Sequence, residues 1–307
     1  MKHNIEPIIN EYFSCYQIIL ATYASYQKRS YDMMFAESWG FKYEKNEHPF
    51  GISLHPGYQN RGNFLLEKFH GIRIKDTQYI VKEKLLEFQS ILPHSPIIVY
   101  YDVFNCPWNI SYRRNHIEHF ILITGIDGKS EHLYVLDPYS TKNENIISID
   151  DFAQDNGYIY SSFIKIPLNS FPAEDYHLEI VNSLNHIRDS NFFLNLENFH
   201  NDFQIRFEEV ILSEYTDIYA VPLIINLRHI ANQRYCYCVF LNKMITEKLI
   251  DPSILKNMES IGEKYSLLRI LLIKQIMKKK NNRECADIIN DIIDSEYQAY
   301  EKMKAFT

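Results

Sequence analysis

Residues 119–137, HFILITGIDGKSEHLYVLD, hold two apolar runs around a short polar segment with Asp127-Gly128, the pattern of two strands joined as an antiparallel hairpin. This constrains the fold because antiparallel pairing returns the chain on itself. The start of the first strand, His119, must lie beside the end of the second, Asp137. Two further apolar runs, PIIVYYDVF before and SSFIKIPL after, extend the sheet, and SIDDFAQDN reads as a short helix capped by Ser148 or Asp150. Upstream, FSCYQIILATYASYQ spaces Cys15, Ile18, Ile19, Thr22 and Tyr23 at helical intervals, with Ser14 or Asn10 near the helix start. YIVKEKLLEFQSIL, 79–92, predicts a second helix. Helices followed by an antiparallel sheet make an α+β domain.

From about Pro172 the pattern turns helical, as in ILKNMESIGEKYSLLRILLIKQIMKKK, so the sequence predicts a first domain over 1–170 and a helical one over 171–307. Hydrophobic residues make up 46% and charged residues 23%, a globular composition. Acidic residues outnumber basic ones 39 to 32, for a net charge of -7, which argues against a nucleic-acid partner. MKHNIEPIINEYFSC lacks the apolar core of a secretory signal, and LLRILLIKQIM is too short and too charged to span a bilayer, so the expectation is a cytoplasmic protein with no membrane partner. The five cysteines are irregularly spaced and read as free thiols. Cys236 and Cys238 fall inside a helical pattern that points them apart, against a metal site. No Gly-rich phosphate loop is present, and no cofactor is expected.

A lone thiol near a helix start is more often packing than nucleophile. Cys15 differs in what accompanies it. A thiol is activated by a helix N-terminus and an imidazolium, and the imidazole needs a carboxylate to fix it. Cys15, His119 and Asp137 supply these, in the chain order of papain-like thiol enzymes.

PIIVYYDVFNCPWNISYRRNHIEHFILITGID followed by HLYVLDP resembles the butirosin biosynthesis protein H family. Its members carry an Asp-containing strand, a Pro, a Tyr, two closely spaced His and an apolar strand ending near Gly-x-Asp. The Cys15 helix and MMFAESWGFKY are similar to that family's N-terminal segment. The resemblance implies a papain-like fold, related to the cysteine peptidases that process bacteriocin leaders. It also implies acyl transfer from a carrier-protein thioester to an amine in natural-product biosynthesis.

Carried onto this sequence, Cys15 is the nucleophile, His119 the base and Asp137 the residue that orients His119. His116 is the rival imidazole, Asn10 a candidate oxyanion donor beside the Cys15 backbone N–H, and Glu37 and Asp102 candidate cleft residues. Cys106 is the second choice of thiol. The expected partners are an acyl or peptidyl carrier protein and a small-molecule or peptide acceptor. Arg113-Arg114 and Lys278–Lys280 are candidate docking cations for an acidic carrier. The amphipathic YSLLRILLIKQIM serves as core and interdomain packing or as a homodimer face. A peptidase or thioesterase with the same triad stays open. So does a non-catalytic papain-like module that binds a peptide or carrier protein, given the few glycines near residue 40 and the unsettled oxyanion donor.

Overall fold

The computed structural model describes residues 2–57, 61–127, 129, 131–153, 157–212, 217–279 and 284–307. The chain forms two compact units, one made of Met1–Tyr31 and Asn63–Asn169, the other of Asp32–Gly62 and Ser170–Thr307. The first is α+β and the second is mainly helical. The segment Asp32–Gly62, expected within the first domain, therefore groups with the helices.

In chain order the first unit contains α1 (Cys15–Tyr26), α2 (Gly62–His70, its first residue in the other unit), β1 (Ile72–Ile74), β2 (Gln78–Val81), α3 (Phe88–Ile91), β3 (Ile97–Asp102), β4 (Glu118–Asp127), β5 (His132–Leu136), β6 (Glu144–Ser148), α4 (Ile149–Phe152) and β7 (Gly157–Lys165). The described strands form one sheet in the order β1-β7-β3-β4-β5-β6, with β2 also on β7, and every pairing is antiparallel. The expected hairpin is β4–β5, with Leu122 opposite Leu136 and Asp127 opposite His132. Its register shifts between Ile123 and Gly125, where a residue without a side chain accommodates the irregularity. Gly128, in the expected turn, lies outside the described residues, as do residues 154–156 of the SIDDFAQDN segment and Lys280.

The strands alternate as a pleated sheet must. Val99, Tyr101, Ile121, Ile123, Leu133 and Val135 point into one core with Phe88 and Phe152. Ile98 and Leu122, on the opposite face, are also buried, which is why the sheet reads as near-continuous apolar runs. α1 packs on the sheet through Tyr16 on Phe120, ring centroids 5.0 Å apart, and Tyr23 stacked on Phe163 at 3.7 Å. It is buried without a break from Ile18 to Ala24, as a helix enclosed on all sides is.

The helix expected over 79–92 is corrected. Its first residues belong to β2, paired with β7 through Tyr79 and Ile159, and a 3-10 turn, Lys82–Glu87, precedes the short α3. A free edge of β7 is satisfied by that strand pairing, which overrides the local helical spacing.

The second unit holds α5 (Ala173–Asp189), α6 (Phe192–Leu212), α7 (Pro222–Thr246), α8 (Ser253–Lys278) and α9 (Glu284–Lys304). Its centre is ionic. Arg234 on α7 and Glu296 on α9 have no exposed surface, and Arg234 Nε donates to Glu296 Oε1 at 2.8 Å. Trp39 Nε1 donates to Glu296 Oε2 at 2.6 Å, and Arg234 Nη1 to the Gly40 carbonyl at 3.0 Å. Only glycine fits at position 40, since an added Cβ would sit 2.2 Å from the Pro56 carbonyl oxygen. Ser-Trp-Gly thus serves packing within this unit.

Breaking a buried pair leaves an uncompensated charge. Glu296→Gln is expected to lower unfolding free energy by about 3–5 kcal/mol, read as a fall in the urea midpoint. A midpoint within error of the parent protein's would show that Arg234 is otherwise satisfied.

Candidate active site

Cys15 is the first residue of α1 because Ser14 starts the helix. Ser14 Oγ accepts from Gln17 N at 3.2 Å, and Gln17 Oε1 accepts from Ser14 N at 2.9 Å, a reciprocal capping box. The cap uses the Ser14 and Gln17 N–H groups, leaving those of Cys15 and Tyr16 at the positive end of the helix dipole. Cys15 is partly exposed; the other four cysteines are buried.

The register of the sheet brings the imidazole and carboxylate together. His119 pairs with Tyr101, and Leu122 with Leu136, so Asp137, one step beyond the strand, is a diagonal neighbour of His119 on the same face. His119 Nε2 lies 3.0 Å from Asp137 Oδ1, an ion-pair contact. Asp137 has no exposed surface and His119 only 3%. The Cys15 thiol is also within interaction range of the imidazole.

Asp137 is held from several sides. Trp108 Nε1 donates to Oδ2 at 2.8 Å, and Ser140 N to Oδ1 at 3.3 Å. The Asp137 carbonyl accepts from Thr141 N at 2.9 Å, and Asn109 Nδ2 donates to Ser140 Oγ at 2.9 Å, tying the 103–117 loop to the turn after β5. Burial alone would raise the Asp137 carboxyl, but His119, Trp108 and Ser140 outweigh it and hold the group below the usual range. Burial lowers the His119 imidazole, and Asp137 and Cys15 more than reverse this, raising it to about 9. The imidazole is therefore protonated at neutral pH.

The other candidates lie elsewhere. His116 is 74% exposed; its Nδ1 is 2.6 Å from Asp102 Oδ2 and its ring stacks on Phe104 at 4.3 Å. It and Asp102 form a separate pair. Glu37 belongs to the helical unit, where Arg61 Nη1 donates to its Oε1 at 2.7 Å and Arg61 Nη2 to Glu179 Oε2 at 3.2 Å. Asn10 Oδ1 accepts from Tyr12 N at 2.9 Å, and no described contact joins Asn10 to Cys15 or His119. Cys106 is fully buried, and burial together with the Asp137 and Asp102 charges pushes its thiol far up, so it is no nucleophile. Among the described residues no group of three or more His, Cys, Asp and Glu side chains is arranged to hold a metal ion.

Trp108 and Ser140 were not singled out from the sequence. Ser140 follows from Asp137-Pro138 as a turn whose aspartate accepts a later N–H. Trp108, in a polar loop distant in sequence, carries no local periodic signal that would assign it to Asp137. No protein-family model and no curated protein sequence matches the chain.

Because His119 is raised, its contribution to stability is complete below the unfolded value near 6.5 and is lost as pH rises through about 9. An NMR titration of the His119 ring is expected to give a midpoint near 9, and Asp137→Asn to move it down by at least about one unit. An unmoved midpoint in Asp137→Asn would remove Asp137 from the site.

Proposed function

We propose that this chain is a papain-like thiol enzyme that forms an acyl-Cys15 intermediate, with Cys15 as nucleophile, His119 as proton carrier and Asp137 as its anchor. The observation carrying this reading is the buried His119–Asp137 pair at 3.0 Å, with the helix-starting Cys15 in range of the same imidazole. A carboxylate excluded from solvent beside a raised histidine is the arrangement that tunes a catalytic imidazole. The sequence resemblance to the butirosin biosynthesis protein H family directs the reading toward thioesters rather than peptides.

In the proposed cycle the Cys15 thiolate attacks the thioester carbonyl carbon. The carbonyl oxygen becomes an oxyanion, to which the Cys15 and Tyr16 backbone N–H groups at the helix start donate. Collapse breaks the donor's carbon–sulfur bond, and the His119 imidazolium gives its proton to the departing thiolate. The neutral imidazole then takes a proton from an incoming amine as it attacks the acyl-Cys15 carbonyl, and the bond to Sγ breaks, restoring the thiolate and imidazolium. Water in place of the amine gives thioester hydrolysis by the same steps. Described helices are not long and apolar enough to cross a membrane, and the five free thiols fit a reducing cytoplasm.

Intact-protein mass spectrometry after incubation with a small acyl thioester tests this. The expected result is one added acyl group, absent in Cys15→Ser and formed at least about 10²-fold more slowly in Asp137→Asn. An adduct that persists in Cys15→Ser, or none with any thioester, would leave a binding module as the better account.

A further inference from the structure

α8 carries apolar side chains on two faces, and the helical unit buries one of them. Ile254, Met258, Ile261, Tyr265, Leu268 and Leu272 recur at helical spacing and are buried, a complete core stripe. One border of α8 is fixed by Lys264, which pairs with Asp291 of α9 at 2.7 Å. The other is fixed at Gly262, where an added Cβ would sit 3.0 Å from the Tyr235 ring of α7. On the side of the helix turned away from both borders stand Leu267, 47% exposed, Ile270, 46%, and Met277, 71%.

These positions are not scattered. Glu263, Leu267, Ile270, Lys274 and Met277 follow one another in steps of four, three, four and three, the spacing of a seam that packs against a second helix. Glu263 and Lys274 bracket the apolar pair; both are exposed, and neither makes an ion pair among the described residues. One turn further out on each side, Glu259 and Lys278 repeat the sign instead of opposing it. The strip is therefore acidic toward the helix start and basic toward its end. A helix dipole accounts for such charges in the first and last turns, and Glu263 and Lys274 lie further in than either.

A face that is acidic at one end, apolar in the middle and basic at the other is complementary to itself turned end for end. A two-fold axis between Leu267 and Ile270 sets Leu267 against the partner's Ile270 and Glu263 against the partner's Lys274, each contact made twice. Lys256, the exposed cation nearer the helix start, falls beyond the end of the second helix. We infer that α8 is the interface of a homodimer, in which two copies of this chain join through antiparallel α8 helices. A single helix face about 21 Å long, from Glu263 to Met277, offers less than the roughly 800 Å² per partner of a stable complex, so the dimer is reversible. The inference concerns the helical unit and does not depend on acyl transfer by Cys15.

Sedimentation velocity of the full chain at low ionic strength is expected to show a monomer–dimer equilibrium with a dissociation constant on the order of 10 μM. Leu267→Glu, at an exposed position, should weaken it at least about tenfold and leave the urea midpoint unchanged. Glu263→Lys and Lys274→Glu should each weaken it about tenfold, because each sets like charges against one another twice. The double variant Glu263→Lys/Lys274→Glu exchanges the two ends and should return the constant to within about threefold of the parent value. A chain that stays monomeric up to about 200 μM overturns the inference. So does a dimer that survives Leu267→Glu, or a double variant that binds no tighter than the single ones.

Discussion

Asp137 has no exposed surface, and a carboxylate taken out of water must be neutralised or supplied with donors, at a cost of several kcal/mol if it is not. The surrounding structure meets that demand. The imidazolium comes from β4, an indole N–H from the 103–117 loop and a backbone N–H from the turn after β5. Each donor fixes the segment that brings it, so one buried charge orders the first strand of the hairpin, the turn beyond its second strand and the long loop before it. A slip of one residue between β4 and β5 would turn Asp137 to the other face and away from these donors.

The thiol is supplied separately. Ser14 and Gln17 start α1 at Cys15, and the fully enclosed helix body from Ile18 to Ala24 holds that start against the sheet. Packing of large apolar side chains thus sets the position of a polar atom. The hydrogen bonds at the site set its charge state, through a histidine raised to about 9 beside a lowered aspartate.

The sequence made β3, β4, β5 and β7 legible because buried strands are dense in Ile, Val and aromatic residues, and it offered Ser14 or Asn10 for the α1 start, of which the structure uses Ser14. His119 and Asp137 could be brought together from antiparallel pairing alone. The short strands β1, β2 and β6 escaped that reading because edge strands need few apolar residues and are defined by a neighbour's unpaired backbone. Glu37 was misplaced for a related reason. Its segment lies in sequence between two parts of the sheet unit, yet it groups with the helical unit, where Glu37 finds Arg61 and the neighbouring Trp39 finds Glu296.

The molecule contains a useful internal comparison in its two histidine–aspartate pairs. His116 and Asp102 are the closer, at 2.6 Å against 3.0 Å, but His116 stands 74% exposed, where water screens the attraction. Asp102 is occupied with backbone: its Oδ1 accepts from Phe104 N at 2.9 Å and from Ile117 N at 3.2 Å, closing the two ends of the loop that carries Trp108. The exposed pair staples the loop, the loop delivers the indole, and the indole supports the buried aspartate. Distance would have favoured His116. Burial separates the two, because the exclusion of water from around His119 and Asp137 leaves their attraction unscreened.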